Sequence, residues 1–277
     1  EYQDFTKPTG WDVAPKSYSP GIEASLTGWG STIYTYMYDT TDDRAINYNR
    51  VAFSFDKKNI VADLSQGEWS NWTPITLKWK SESQSVDVKT SAKIAVIKLG
   101  PDNFYRFRVF YDNLNEHVVF PESAFSPLHN ATGPMVDFVD NYPAQLVYYD
   151  EDKKIFQDEA TMSFDWHKKA VSAITTAFSP NVVIHDIYTP NQMLTSRWWM
   201  GSVDPKSARY SAVSEQNRAK LWEEVKDMYK KLDDIIGEIL SVTDQNTYVV
   251  LSSDHGAVPL DRFVNLNNLF TKKGWLT

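Results

Sequence analysis

Apolar positions along the chain change their spacing. Between about residues 31 and 120 they come in short runs rich in β-branched and aromatic residues, "TIYTYMY", "NRVAFSF", "PITLKW", "AKIAVIKL" and "YRFRVFY", separated by turn-forming or charged residues. In the last run Tyr105, Phe107, Val109 and Tyr111 alternate with Arg106 and Arg108, which predicts one buried face and one wet face. This part reads as an antiparallel β unit. From about residue 160 the period lengthens. "DEATMSFDWHKKAVSAITTAF" predicts a helix, "NVVIHDIY" a strand, and Ser211 to Ser241 a long helix with Leu221, Val225, Met228, Leu232, Ile235, Ile236 and Ile239 on one face. "TYVVLSS" predicts a further strand. Helix, strand, helix, strand implies parallel strands near 181–188 and 247–253, joined by a right-handed crossover in a helix-flanked sheet. The fold class is therefore α/β, a β-rich region over 1–140 preceding an α/β portion over 141–277. Pro121 to Asp150, with four prolines, reads as an irregular connection between them.

With 277 residues, 42% of them apolar and 14% aromatic, the chain can bury a substantial core. No run approaches the roughly 18 uninterrupted apolar residues of a membrane span, and "EYQDFTKPTG" lacks the basic and apolar parts of a signal peptide. A soluble or already processed chain is expected. A net charge of −8 and a pI near 5.2 argue against nucleic-acid binding, so an anionic substrate would need a local positive centre such as a metal ion. The absence of cysteine excludes disulfides, thiolate catalysis and thiolate-bound zinc. Together with an aromatic, Asn-rich surface it points towards an extracytoplasmic location. Two glycosylation triplets, at Asn71 and Asn130, carry little weight. The many Trp and Tyr residues of the β region fit ring packing in a sheet better than a sugar-binding surface.

In open α/β sheets, ligands bind beyond the carboxyl ends of the strands. Two such ends occur here, "SSDHG" and "YTPNQMLTSRWWMG". The carboxylate of Asp254 and the imidazole of His255 are both good ligands for zinc-like ions. An adjacent Asp-His pair alone reads equally well as a capping Asp beside a hydrogen-bonded His.

The longer string "VVLSSDHG", followed by "VNLNNLFTKKGWL", resembles the type I phosphodiesterase and nucleotide pyrophosphatase branch of the alkaline phosphatase superfamily. Upstream, the helix containing Tyr229-Lys-Lys-Leu-Asp233 is similar to a family helix, and "QGEWSNWTPITLKW" and "FVDNYPAQ" resemble an insert that some members carry. The resemblance implies a partial alkaline-phosphatase-like sheet. It also implies metal-dependent hydrolysis of small-molecule phosphoesters, with Asp254 and His255 as ligands of a divalent ion, zinc or else manganese.

Two departures from the family pattern matter. The preceding strand of the family ends in Asp-X-X-X-His, ligands of a second ion, and here Asn191 and Thr195 stand at those positions. A neutral amide and a hydroxyl suit hard ions such as calcium better than zinc, so this position reads as a degenerate second metal site or a substrate contact. His185 and Asp186 lie inside the strand before Pro190 and take ordinary structural roles. The family's N-terminal Asp, its Thr or Ser nucleophile and its third His have no counterparts, which implies an internal fragment, inactive alone. Thr195 has no evident base beside it to make it a nucleophile. The alternatives are a non-catalytic relative that keeps the fold for binding or assembly, and a carbohydrate-binding β module fused to an unrelated α/β domain.

Overall fold

A computed structural model describes residues 5–28, 30–100, 105–136, 149–196, 198–258 and 264–276. The chain divides into two compact units, residues 1–142 with 146–185, and residues 143–145 with 186–277. Both helices and sheets are present, as an α/β chain requires, and the sheets precede the long helices.

The first unit holds two antiparallel sheets. One has the order β1-β2-β3-β4, from Ile22–Gly28, Ser31–Tyr38, Arg50–Ser54 and Ala62–Leu64; the other has the order β5-β6-β7, from Thr73–Lys80, Ser85–Leu99 and Tyr105–Tyr111. Alternation along each strand decides which face meets what. Ile33, Met37, Val51, Phe53 and Leu64 from the first sheet pack with Ile94 and Val96 of β6, and Tyr105, Phe107 and Val109 of β7 join the same cluster. The next residues along β6, Ala95 and Ile97, face the other way and pack against Ile155 of a helix. The unit is thus layered sheet on sheet on helix. Gly30, with φ of 71° in the tight turn joining β1 to β2, is held to glycine twice over, because a Cβ there would lie 2.7 Å from the Cβ of Lys78.

Helix α2 (Asp150–Phe178) supplies the third layer. Three acidic residues fill its first turn and complement the helix dipole, while Ser179 in the left-handed conformation, followed by Pro180, ends it. Its inward face combines Ile155, Phe156, Phe164 and Ala170 with the buried polar residues Asp152, Glu159, Ser163 and His167. Arg106 pairs with Asp152, and Arg108 Nε donates to Glu159 Oε1 at 3.0 Å. The face of β7 expected to be wet is therefore covered. Its charges persist because α2 brings a carboxylate to each, and the alternation of Arg with aromatic residues reports a polar face, not a solvated one. Lys98 to Glu151 at 2.8 Å and Trp69 Nε1 to Asp158 at 3.0 Å add ties to the same helix. Although α2 reads by sequence with the C-terminal portion, it packs with the sheets. The connection expected to be irregular contains helix α1 (Phe125–Thr132), whose Phe125 and Leu128 pack on Trp166 and Ala170 of α2; residues 137–148 lie outside the described residues.

In the second unit, helix α5 (Glu215–Ser241) is capped by Ser214, whose hydroxyl accepts from the Asn217 amide, and buries Leu221, Val225, Met228 and Ile235. The short helices α3 (Thr189–Leu194) and α4 (Met200–Val203) pack on it, and between them Trp199 is fully buried with its indole N–H donated to Glu224 at 2.8 Å. Helix α6 (Leu266–Lys272) starts at Asn265, which caps it through the Asn268 amide.

The strands expected near 181–188 and 247–253 differ. Both stretches are non-helical and neither enters a ladder; Val182, Ile184, Tyr248 and Leu251 are exposed. A parallel strand needs neighbours on its edges, and the described residues place none beside them. Among the described residues no helix is long and apolar enough to cross a membrane.

Removing one member of a buried pair strands the other charge. Glu159→Ala should lower stability by about 3 kcal/mol, read as a fall in the urea midpoint at unchanged slope, whereas the joint change Arg108→Met with Glu159→Leu should cost less than either alone. A joint loss equal to the sum of the two single losses would show that the pair does not hold α2.

Candidate functional site

Asp254 and His255 sit in an exposed turn after the stretch Tyr248 to Leu251. The Ser253 hydroxyl donates to the His255 carbonyl at 2.6 Å, which closes the turn around Asp254. His255 Nδ1 lies 2.8 Å from the Gly256 carbonyl oxygen. A carbonyl can only accept, so the neutral ring carries its proton on Nδ1 and leaves the lone pair on Nε2. That Nε2 is 3.7 Å from Asp254 Oδ1, too far for a hydrogen bond. The separation does suit a shared cation: metal bonds of about 2.0–2.1 Å at a tetrahedral angle place two donor atoms roughly 3.3 Å apart. Their side chains are 89% and 55% exposed, so their mutual attraction as an ion pair would contribute little in water.

Asn191 and Thr195 occur on α3 and not at the end of a paired strand. Pro190 in the first turn favours the helix, and Thr189 and Met193 are its buried anchors. The Asn191 carbonyl accepts both the Thr195 amide at 2.9 Å and the Thr195 hydroxyl at 2.7 Å. The two side chains therefore lie one helical turn apart. The Thr195 hydroxyl proton goes to a backbone oxygen, not to a base.

The structure thus forms two pairs, Asp254 with His255 and Asn191 with Thr195. Among the described residues, no three His, Cys, Asp or Glu side chains converge on a common point, so a complete ligand set is not assembled. The donors present fit part of a divalent centre, two ligands of the usual four.

A further polar cluster was not anticipated. His167 Nδ1 and His185 Nε2 are 2.7 Å apart, with the ring centroids at 4.9 Å. Burial first, and then the charge of His185, push the His167 pKa down to about 4. The signal was available in the sequence, since Glu159, Ser163 and His167 recur every fourth residue on an otherwise apolar helix face. In the β region Trp69 and Trp72 pack on Phe110 at 83° and 50°, and Tyr105 stacks on Phe107.

The family model described as type I phosphodiesterase / nucleotide pyrophosphatase matches residues 154–277, a stretch that holds all four candidate residues and most of α2. The β sheets lie outside it. Comparison with curated proteins and with solved structures gave no match.

If the Gly256 carbonyl sets the His255 tautomer, long-range nitrogen-proton NMR at neutral to alkaline pH should find the ring proton on Nδ1. A dominant Nε2–H form would remove the basis for treating Nε2 as the donor that faces Asp254.

Proposed function

We propose that residues 154–277, matched by the type I phosphodiesterase / nucleotide pyrophosphatase family, carry part of a metal-dependent centre that hydrolyses small phosphoesters. In this reading residues 1–140 are a β-rich insert and 141–277 the core portion. The supporting observation is the co-occurrence of that match with the turn at Ser253–Gly256, in which Asp254 Oδ1 and His255 Nε2 stand 3.7 Å apart. These two would hold one divalent ion, zinc or manganese. When bound, such an ion supplies positive charge against a phosphoryl oxygen and lowers the pKa of an attacking hydroxyl or water. The protein's own part is to aim the two donors: Ser253 closes the turn and Gly256 fixes the ring proton. An acidic chain of net charge −8 has particular need of a local cation to receive an anionic substrate.

Asn191 and Thr195 fit a weak second position. Replacing a carboxylate by an amide removes one unit of negative charge from a site that must offset a dication, and a hydroxyl is a poorer donor than imidazole. The Thr195 hydroxyl, already donated to the Asn191 carbonyl, does not serve as nucleophile in this reading. The same neutrality favours a second reading, a relative that keeps the fold for binding without turnover.

Zinc or manganese titrated into the chain should bind at about one site, weakened at least about tenfold by Asp254→Ala or His255→Ala. Asn191→Asp with Thr195→His places a carboxylate and an imidazole at i and i+4 on one helix face, and should add a second ion. Binding indifferent to both single replacements, or two tight ions in the unaltered protein, would overturn the assignment.

The chain alone should show no turnover of a chromogenic phosphodiester with either metal. Turnover abolished by Asp254→Ala would place the nucleophile within these residues and defeat the reading of an incomplete centre.

A further inference from the structure

The His167–His185 contact belongs to neither the candidate metal turn nor α3. From His167 to Phe178 helix α2 rises about 16 Å, and the seven residues 179–185 can span roughly 23 Å when extended. After the left-handed Ser179 and Pro180 the chain doubles back along α2 far enough for His185 to reach His167. Between those ends, residues 181–184 are exposed, Ile184 at 89%. At its far end the return segment meets α2 through one imidazole tilted and bonded against another, with Trp166 at the edge of the His167 ring.

We propose that the His167–His185 bond is a pH-sensitive latch, pinning segment 179–185 to α2 at neutral pH and releasing it in acid. The neutral pair shares one N–H. A first added proton still leaves an N–H facing a lone pair. A second leaves two N–H groups face to face, and the bond is lost. Glu159, two turns earlier on α2, is paired with Arg108 of β7; Asp165, Lys168 and Lys169 are exposed on α2; His129 of α1 is bonded to Asp112; Asp186, after the segment, is exposed.

The direction follows from proton linkage. Burial and the neighbouring imidazole depress the affinity of docked His167 for a proton to a pKa of about 4, below the ordinary value of 6.5. The docked form therefore holds fewer protons than the released form. Docking is at full strength above about pH 6.5 and weakens as pH falls towards about 4, the released-to-docked ratio rising up to about tenfold per pH unit.

The chain has no cysteine, so a single introduced thiol can carry a nitroxide label. On Ile184→Cys, the spectrum should be restricted at pH 7.5 and gain a mobile component between pH 6.5 and 4.5. In a His185→Phe background, which removes the bond that pins the segment, the label should already be mobile at pH 7.5 and its mobility should lose most of its dependence on pH. A label on Ser83→Cys, in the exposed β5–β6 turn, should stay constant over the same interval. A pH-independent Ile184 label, an unchanged profile with His185→Phe, or a Ser83 label that mobilises in parallel would each overturn the latch, the last by showing that the whole unit unfolds.

Discussion

Two arginines on one face of β7 impose the condition that the first unit must meet. A sheet face carrying Arg106 and Arg108 cannot be covered by an apolar helix, because a guanidinium removed from water without a partner costs several kcal/mol. Helix α2 covers it by offering Asp152 and Glu159, seven residues apart and so on the same side, about 10 Å along the helix. The arginines stand about 7 Å apart along the strand, and their long side chains take up the difference. Once these pairs form, the position of α2 along the sheet is set. Ile155 then meets Ala95 and Ile97, Trp69 reaches Asp158, and Trp166 and Ala170 face α1.

Much of this was legible from residue spacing. Five strands and the two long helices fall where periodicity places them, because each buries one stripe or one face. β1 escaped notice because Glu23, Ser25 and Thr27 dilute its alternation; Glu23 is nonetheless tucked in by Trp11 and Lys57. β4 is only three residues long, and α1 hides among prolines. The larger misreading concerned Arg106 and Arg108, since alternation distinguishes polar from apolar faces but not paired charge from hydrated charge.

The segments 181–188 and 247–253 show a different limit. Their β-branched runs express a preference for extended backbone, and both stretches are non-helical, yet ladder formation depends on neighbours that a local pattern does not specify. The candidate site inherits this. Asp254 with His255 was visible as a pair of donors, while the place of Asn191 and Thr195 on a helix followed from Pro190 and the buried Thr189 and Met193, not from the run of apolar residues before them. The proposed one-ion centre rests on that difference, since α3 offers neutral donors and the turn a carboxylate and an imidazole.

The family match opens at Lys154, just past the first turn of α2, whereas the helix itself is built into the β layers. A recombinant piece cut at that boundary would part Ile155 and Glu159 from the sheet and Trp166 from α1, leaving a sticky, half-charged helix surface in water. The natural place to divide this polypeptide is therefore not where the family match begins but near residue 185, after the return segment has been laid back on α2.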